Sequence, residues 1–172
     1  MKKSKLFSFL VCIILWAGVC CSDTNSYIKC CFSPQDNCEQ IWIDVINSAT
    51  NHIHIACYGI TNDKIGDALI EQAKNKIKVI LCVDKLQASG RKSLTNKLKN
   101  NNIEVIIKKR SALQHNKMIS VDGRDGIIGA WNLSNSAQKQ DNSIVLFINQ
   151  TNHVASIENA WMIIYKRDKE NK

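Results

Sequence analysis

His115-Asn116-Lys117-Met118-Ile119-Ser120-Val121-Asp122 is the stretch on which the reading of this chain turns. Met118, Ile119 and Val121 favour an extended backbone, and along a strand successive side chains leave by opposite faces. His115 and Lys117 therefore emerge on one side, about 6–7 Å apart, where a single phosphoryl group can touch both. Imidazole, with an unperturbed pKa of about 6.5, serves as a nucleophile toward phosphorus or as a general acid, while a lysine ammonium neutralises the non-bridging oxygens as charge builds on them. Asp122 has the opposite parity and opens Asp122-Gly123-Arg124-Asp125-Gly126, a tight-turn sequence, so it is expected to orient a neighbour rather than to meet substrate.

The turn leads into Ile127-Ile128-Gly129-Ala130-Trp131-Asn132-Leu133-Ser134, a second short strand running into a polar loop that can return beside the first. Together the two segments resemble the phospholipase D superfamily, whose pattern is HxKxxxxD followed by a glycine, a serine, any residue, an asparagine, an aromatic or aliphatic residue and a hydroxyl residue. His115, Lys117, Asp122, Gly129, Asn132 and Ser134 stand at the matching positions. Two positions depart: Ala130 replaces the usual serine, and Asp141, before Asn142, falls where many small members carry glutamate. Those departures bear on catalytic efficiency more than on reaction type.

The resemblance implies a metal-independent phosphodiesterase without a cofactor, in which His115 attacks phosphorus to give a phosphohistidine. Lys117, Asn132 and Ser134 would hold the phosphoryl oxygens, and Asp122 and Asp141 would tune or orient the site. Such a mechanism needs a second histidine to protonate the leaving alcohol. No other H-x-K occurs in the chain, so a homodimer with both copies of His115 at one shared site is implied. From Cys31-Phe32-Ser33-Pro34 through Ala56-Cys57-Tyr58-Gly59 and Asp84 to the motif, the order of elements is similar to small single-motif bacterial members over approximately residues 30 to 168. Secreted phospholipases D and periplasmic endonucleases are both among those. The entry segment from Cys31 to Cys38 resembles that of secreted phospholipases D of intracellular bacteria, and the resemblance implies a phospholipid headgroup ester as substrate, phosphatidylcholine giving phosphatidate and choline. Cleavage of DNA or RNA is the alternative, and a catalytically weak polyanion-binding module, suggested by the missing serine at 130, is the third.

With 172 residues, 45% of them hydrophobic, and one proline, the chain suits one globular domain and is short for two. Lys2, Lys3 and Lys5 followed by a mostly apolar run from Leu6 to Val19 read as a secretory leader over residues 1–22, with a catalytic domain over 23–172 that is secreted or periplasmic. Valine before Cys20 fits a lipoprotein cleavage box poorly. Behind the leader, Cys31 and Cys38 flank a Ser-Pro-Gln-Asp-Asn turn and are spaced to close a loop disulfide in an oxidising compartment, whereas Cys57 and Cys82 read as buried free thiols.

The periodicity predicts an α/β fold: a mixed β-sheet flanked by helices, with one motif per subunit. Strands are expected at 27–32, 52–57, 77–83, 103–107, 115–121, 127–131 and 142–148. Helices are expected from Glu39 to Ala49, after the cap Thr61-Asn62-Asp63, around Leu94 and Leu98, and at the end, where Val154, Ile157, Trp161 and Ile164 face inward. His52-x-His54 alternates with Ile53 and Ile55 as the polar face of a strand, and without a carboxylate or cysteine cluster beside it no metal is expected there. Asp84, at a strand end, is read as a loop anchor, and His153 as a residue of the terminal helix that faces solvent or caps it. The net charge is +8, and between Lys74 and Lys117 twelve Lys or Arg residues face only Asp84 and Glu104. Such a belt attracts polyanions, whether nucleic acid or an anionic bilayer surface.

Overall fold

Two apolar layers on either side of one sheet account for most of the buried side chains. The structure, a computed structural model, describes residues 25–109 and 112–170. The leader expected at 1–22, with Cys12, Cys20 and Cys21, lies outside the described residues. In chain order the elements are β1 (Tyr27–Ser33), α1 (Cys38–Asn47), β2 (His52–Cys57), α2 (Asp63–Lys74), β3 (Lys78–Val83), α3 (Lys85–Ala88), α4 (Thr95–Lys99), β4 (Glu104–Ile107), β5 (Lys117–Val121), β6 (Asp125–Gly129), β7 (Asn142–Ile148) and α5 (Thr151–Glu170), with a 3-10 turn at Ala137–Lys139.

The seven strands form one sheet in the order β1-β7-β6-β5-β2-β3-β4. β2, β3 and β4 run parallel, joined by helical crossovers, and the remaining pairs are antiparallel. Ile53, Ile55, Leu81, Val83, Ile119, Val121 and Ile127 point to the face covered by α1 and α2, whose Trp42, Ile46, Ile65 and Leu69 are fully buried. Ala56, Ile80, Cys82, Met118 and Phe147 point the other way, under Val154, Ile157, Trp161 and Ile164 of α5. Helix α2 starts where Asn62 accepts from the Ile65 amide at 3.0 Å.

The mixed α/β sheet agrees with the sequence expectation, and β2 and β7 have the expected bounds. The short helix α3 was not expected. It forms because the Asp84 side chain caps it, accepting from the Leu86 amide at 2.9 Å. Cys31 and Cys38 are neighbouring, buried free thiols rather than a disulfide; burial, and each other's proximity, push the Cys38 thiol up. Cys57 and Cys82 are buried free thiols as expected, each pushed up to about 12 chiefly by burial. On the α5 side of the sheet the helix covers β2 to β6 but leaves Ile28, Cys30, Phe32 and Ile128 exposed toward the β1 edge.

Candidate active site

Strand β5 enters the sheet at Lys117, which pairs with Cys57 at the end of β2. His115 lies two residues ahead of the strand rather than inside it, because the preceding segment is held from the side: the Gln114 amide donates to the buried Asp84 carboxylate at 2.9 Å. Asp84 thus ties the end of β3 to the residue before His115. This makes it the loop anchor that the sequence suggested, placed one residue from the imidazole.

Lys117 folds back over His115. Its Nζ lies 3.0 Å from Nδ1 and 3.1 Å from Nε2 of the ring, and donates to the His115 carbonyl at 2.8 Å. Tyr58 meets the imidazole edge-on at 5.0 Å between centroids, and the ammonium stands 5.8 Å from the same phenol ring. Only 5% of Lys117 is exposed. Burial lowers its pKa below the usual lysine range, with Cys57 opposing that shift. Among the described residues no carboxylate lies within ion-pair distance of its ammonium. The site therefore holds a desolvated positive charge against an imidazole, an arrangement that an incoming phosphoryl group would complete.

The loop behind β6 supplies the opposite wall by alternation. Trp131 and Leu133 are fully buried, Trp131 stacking on Trp42 with centroids 6.3 Å apart. The Leu133 carbonyl accepts from the Thr61 and Asn62 amides at 2.9 and 3.1 Å, which pins the loop to the segment after β2. The intervening Asn132 and Ser134 are turned toward His115. With Tyr58, Thr61, Gln87, Ser136 and Gln140 they line a cleft of about 260 Å³. Tyr58, Gln87 and Gln140 were not singled out in the sequence. For Tyr58 the available signal was its place directly after β2, where open α/β sheets gather their ligands.

Lys117 reaches this cleft only through its contact with His115, and two further expected site residues lie away from it. Asp141 is exposed and borders an adjoining depression lined by Phe32, Gln35 and Ala130. Asp122 sits at the far end of β5, about 17 Å of strand away. There it accepts from the Thr50 amide at 2.7 Å and hydroxyl at 2.8 Å, and from the Asn51 and His52 amides at 2.9 and 2.8 Å. Burial alone would raise its pKa, but these hydrogen bonds outweigh that and hold the carboxyl below the ordinary range. Asp122 does orient a neighbour, but that neighbour is the loop entering β2, not a catalytic group. His153 is exposed on the first turn of α5, with its ring over Phe147. His52 and His54 gain the carboxylate that their sequence neighbourhood lacks, because α5 brings Glu158 beside them. The sequence reading that no carboxylate accompanies this pair is corrected by that contact.

Comparison with known proteins agrees with this geometry. The family profile described as "Cardiolipin synthase, PLD-like domain" matches residues 42–162. The chain belongs to the phospholipase D superfamily. It is 27% identical over 139 residues to a phospholipase D of Rickettsia bellii, spanning 81% of this chain and 69% of that one. It is 29% identical over 117 residues to a mitochondrial cardiolipin hydrolase of Chlamydomonas reinhardtii, spanning 68% of this chain and 52% of that one. Its fold is similar to that of Nuc, a phospholipase D family member from Salmonella typhimurium, with a TM-score of 0.76 at 23% identity over 82% of this chain and 95% of that one. As a member of the superfamily the protein is a phosphodiesterase, a hydrolase of phosphoric diester bonds.

Proposed function

We propose that this phosphodiesterase is an exported phospholipase D that releases choline from phosphatidylcholine and works as a homodimer with one shared active site. The observation that carries the reading is the buried Lys117 ammonium, without a carboxylate partner among the described residues, closed over His115 beside Asn132 and Ser134. In the first step the His115 imidazole forms a nitrogen–phosphorus bond as the bond from phosphorus to the choline oxygen breaks. The partner subunit's copy of the same histidine gives its proton to that oxygen. Now neutral, it takes a proton from water, whose oxygen attacks phosphorus and breaks the nitrogen–phosphorus bond, releasing phosphatidate and restoring both imidazoles. Lys117 and Asn132 hold the non-bridging oxygens through both steps, with Ser134 assisting, and Asp141 tunes the mouth of the site.

The lipid substrate is supported by the likeness to the rickettsial phospholipase D over four-fifths of the chain. The dimer is supported by the apolar strip of Ile28, Phe32 and Ile128 left open on the sheet, Phe32 bordering the depression next to the cleft. The belt of cations between Lys74 and Lys117 favours nucleic acid as the second reading. The test is an assay of the chain from residue 23 onward, in chelator, against phosphatidylcholine vesicles, plasmid DNA and RNA. Choline release that is abolished in His115→Ala supports the lipid reading. Nicking of plasmid or RNA without choline release replaces it with the endonuclease, and binding of all three without turnover replaces it with a polyanion-binding module.

A further inference from the structure

At the end of the sheet away from the cleft, about 20 Å along β2 from Tyr58, His52 and His54 project from one face of the strand. Their rings lie 4.6 Å apart between centroids. Helix α5 crosses this face. Trp161 stacks on His54 at 3.8 Å with 2° between the planes, and the indole N–H donates to the Ile55 carbonyl at 3.0 Å, so the imidazole plane is fixed by a side chain that is itself fixed. One turn earlier on the helix, Glu158 delivers its carboxylate. Oε1 lies 2.6 Å from His54 Nδ1, and Oε2 is buried without a hydrogen-bond partner. The Ser120 hydroxyl on the neighbouring strand β5 is likewise buried without a hydrogen-bond partner.

We propose that His52, His54 and Glu158 form a zinc-binding site that clamps α5 to β2, separate from the phosphodiester cleft. One ligand atom from each residue lies within 4.8 Å of the other two. Tetrahedral zinc with bonds of about 2.0–2.1 Å needs ligand atoms about 3.3 Å apart, so His54 and Glu158 have to part by only about 0.7 Å from their present 2.6 Å contact as the cation replaces the proton between them. Two imidazoles and one carboxylate form a donor set that suits zinc, whereas calcium and magnesium prefer oxygen alone. Trp161 supplies the apolar wall that orients a ligating ring, and the fourth position opens to solvent on the His52 side, which is partly exposed. The buried Oε2, without a hydrogen-bond partner, leaves the carboxylate with unused acceptor capacity on the face of α5 that meets β2.

The full chain, stripped with chelator, exchanged into buffer and titrated with zinc chloride, should bind one zinc per chain in calorimetry and melt at a higher temperature with zinc than without it. Cobalt(II) in place of zinc should give the intense visible bands of a four-coordinate site with nitrogen and oxygen ligands, lacking the sulfur charge-transfer band that cysteine would add. Glu158→Gln and His52→Asn, with native circular dichroism, should each weaken zinc binding by at least tenfold and lose the cobalt bands. His115→Ala and Cys30→Ser should bind as wild type. Absence of binding by the wild type at millimolar zinc, or undiminished binding in both Glu158→Gln and His52→Asn, overturns the proposal and leaves His54 and Glu158 as a hydrogen-bonded clasp.

Discussion

His115 and Lys117 act as one unit, because the ammonium lies about equally far from both ring nitrogens. In the proposed mechanism, removing the imidazole removes the nucleophile, and removing the ammonium removes charge already desolvated and in place. Each of His115→Ala and Lys117→Ala should therefore lower turnover by at least ~10²-fold with the fold retained; near-normal turnover in His115→Ala would end the proposed mechanism. Asp122 makes the opposite prediction, since its four hydrogen bonds hold structure and not chemistry. Asp122→Asn should cost about 2–3 kcal/mol in urea unfolding at neutral pH, with turnover unchanged where the variant is folded. The native carboxyl titrates below its ordinary 3.8, so its contribution is complete above that value and is lost as pH falls through the native pKa. The stability gap between wild type and Asp122→Asn should accordingly close on acidification below about pH 4. A gap that stayed constant down to pH 2 would mean that the stability contributed by Asp122 does not depend on its negative charge.

At the scale of elements, Gly129 shows why the second motif begins with glycine. A Cβ there would stand 2.4 Å from the Ser143 carbonyl oxygen and 2.8 Å from the Ile144 Cα, both backbone atoms of β7. Gly129→Ala should push β6 from β7, displace the loop carrying Asn132 and Ser134, and lower both the unfolding midpoint and the turnover. An unaltered midpoint would show that the two strands can separate at little cost. Much of this architecture was legible from periodicity. His52–Cys57 and Asn142–Ile148 alternate or run apolar between turn residues, and the inward face of α5 is spelled by Val154, Ile157, Trp161 and Ile164. What was not legible depends on contacts between distant segments. The end of β5 at Lys117 is set by Asp84 reaching Gln114, thirty residues on. The role of Asp122 is set by Thr50 and Asn51, and the company of His52 and His54 by a helix 104 residues later. Short-range pattern carries none of those distances. The motif pointed to His115, Lys117, Asn132 and Ser134, and packing gathers those four while it leaves Asp122 at the far end of β5.

For the whole molecule the decisive quantity is the number of histidines in one cleft. Among the described residues His115 is the imidazole that lines it; His52 and His54 face α5 near the other end of β2, and His153 lies over Phe147. A two-step transfer through a phosphohistidine needs a second imidazole to protonate the leaving group, and a two-fold axis beside the cleft would provide it from the partner subunit. Specific activity should then fall on dilution below the dimer dissociation constant. Mixing gives the sharper measurement. When inactive His115→Ala protein is exchanged at random into wild-type dimers, a mixed dimer keeps one histidine and cannot complete both steps, so activity should follow roughly the square of the wild-type fraction. The assay is run with verified subunit exchange and at a temperature where the chelated protein stays folded, so that loss of activity reports chemistry and not the loosening of α5. A linear fall would mean that each subunit completes the reaction alone. A fully active monomer in sedimentation would mean the same, and the proton for the leaving alcohol would then have to come from another group at the cleft, such as Tyr58, which lines it edge-on to the imidazole.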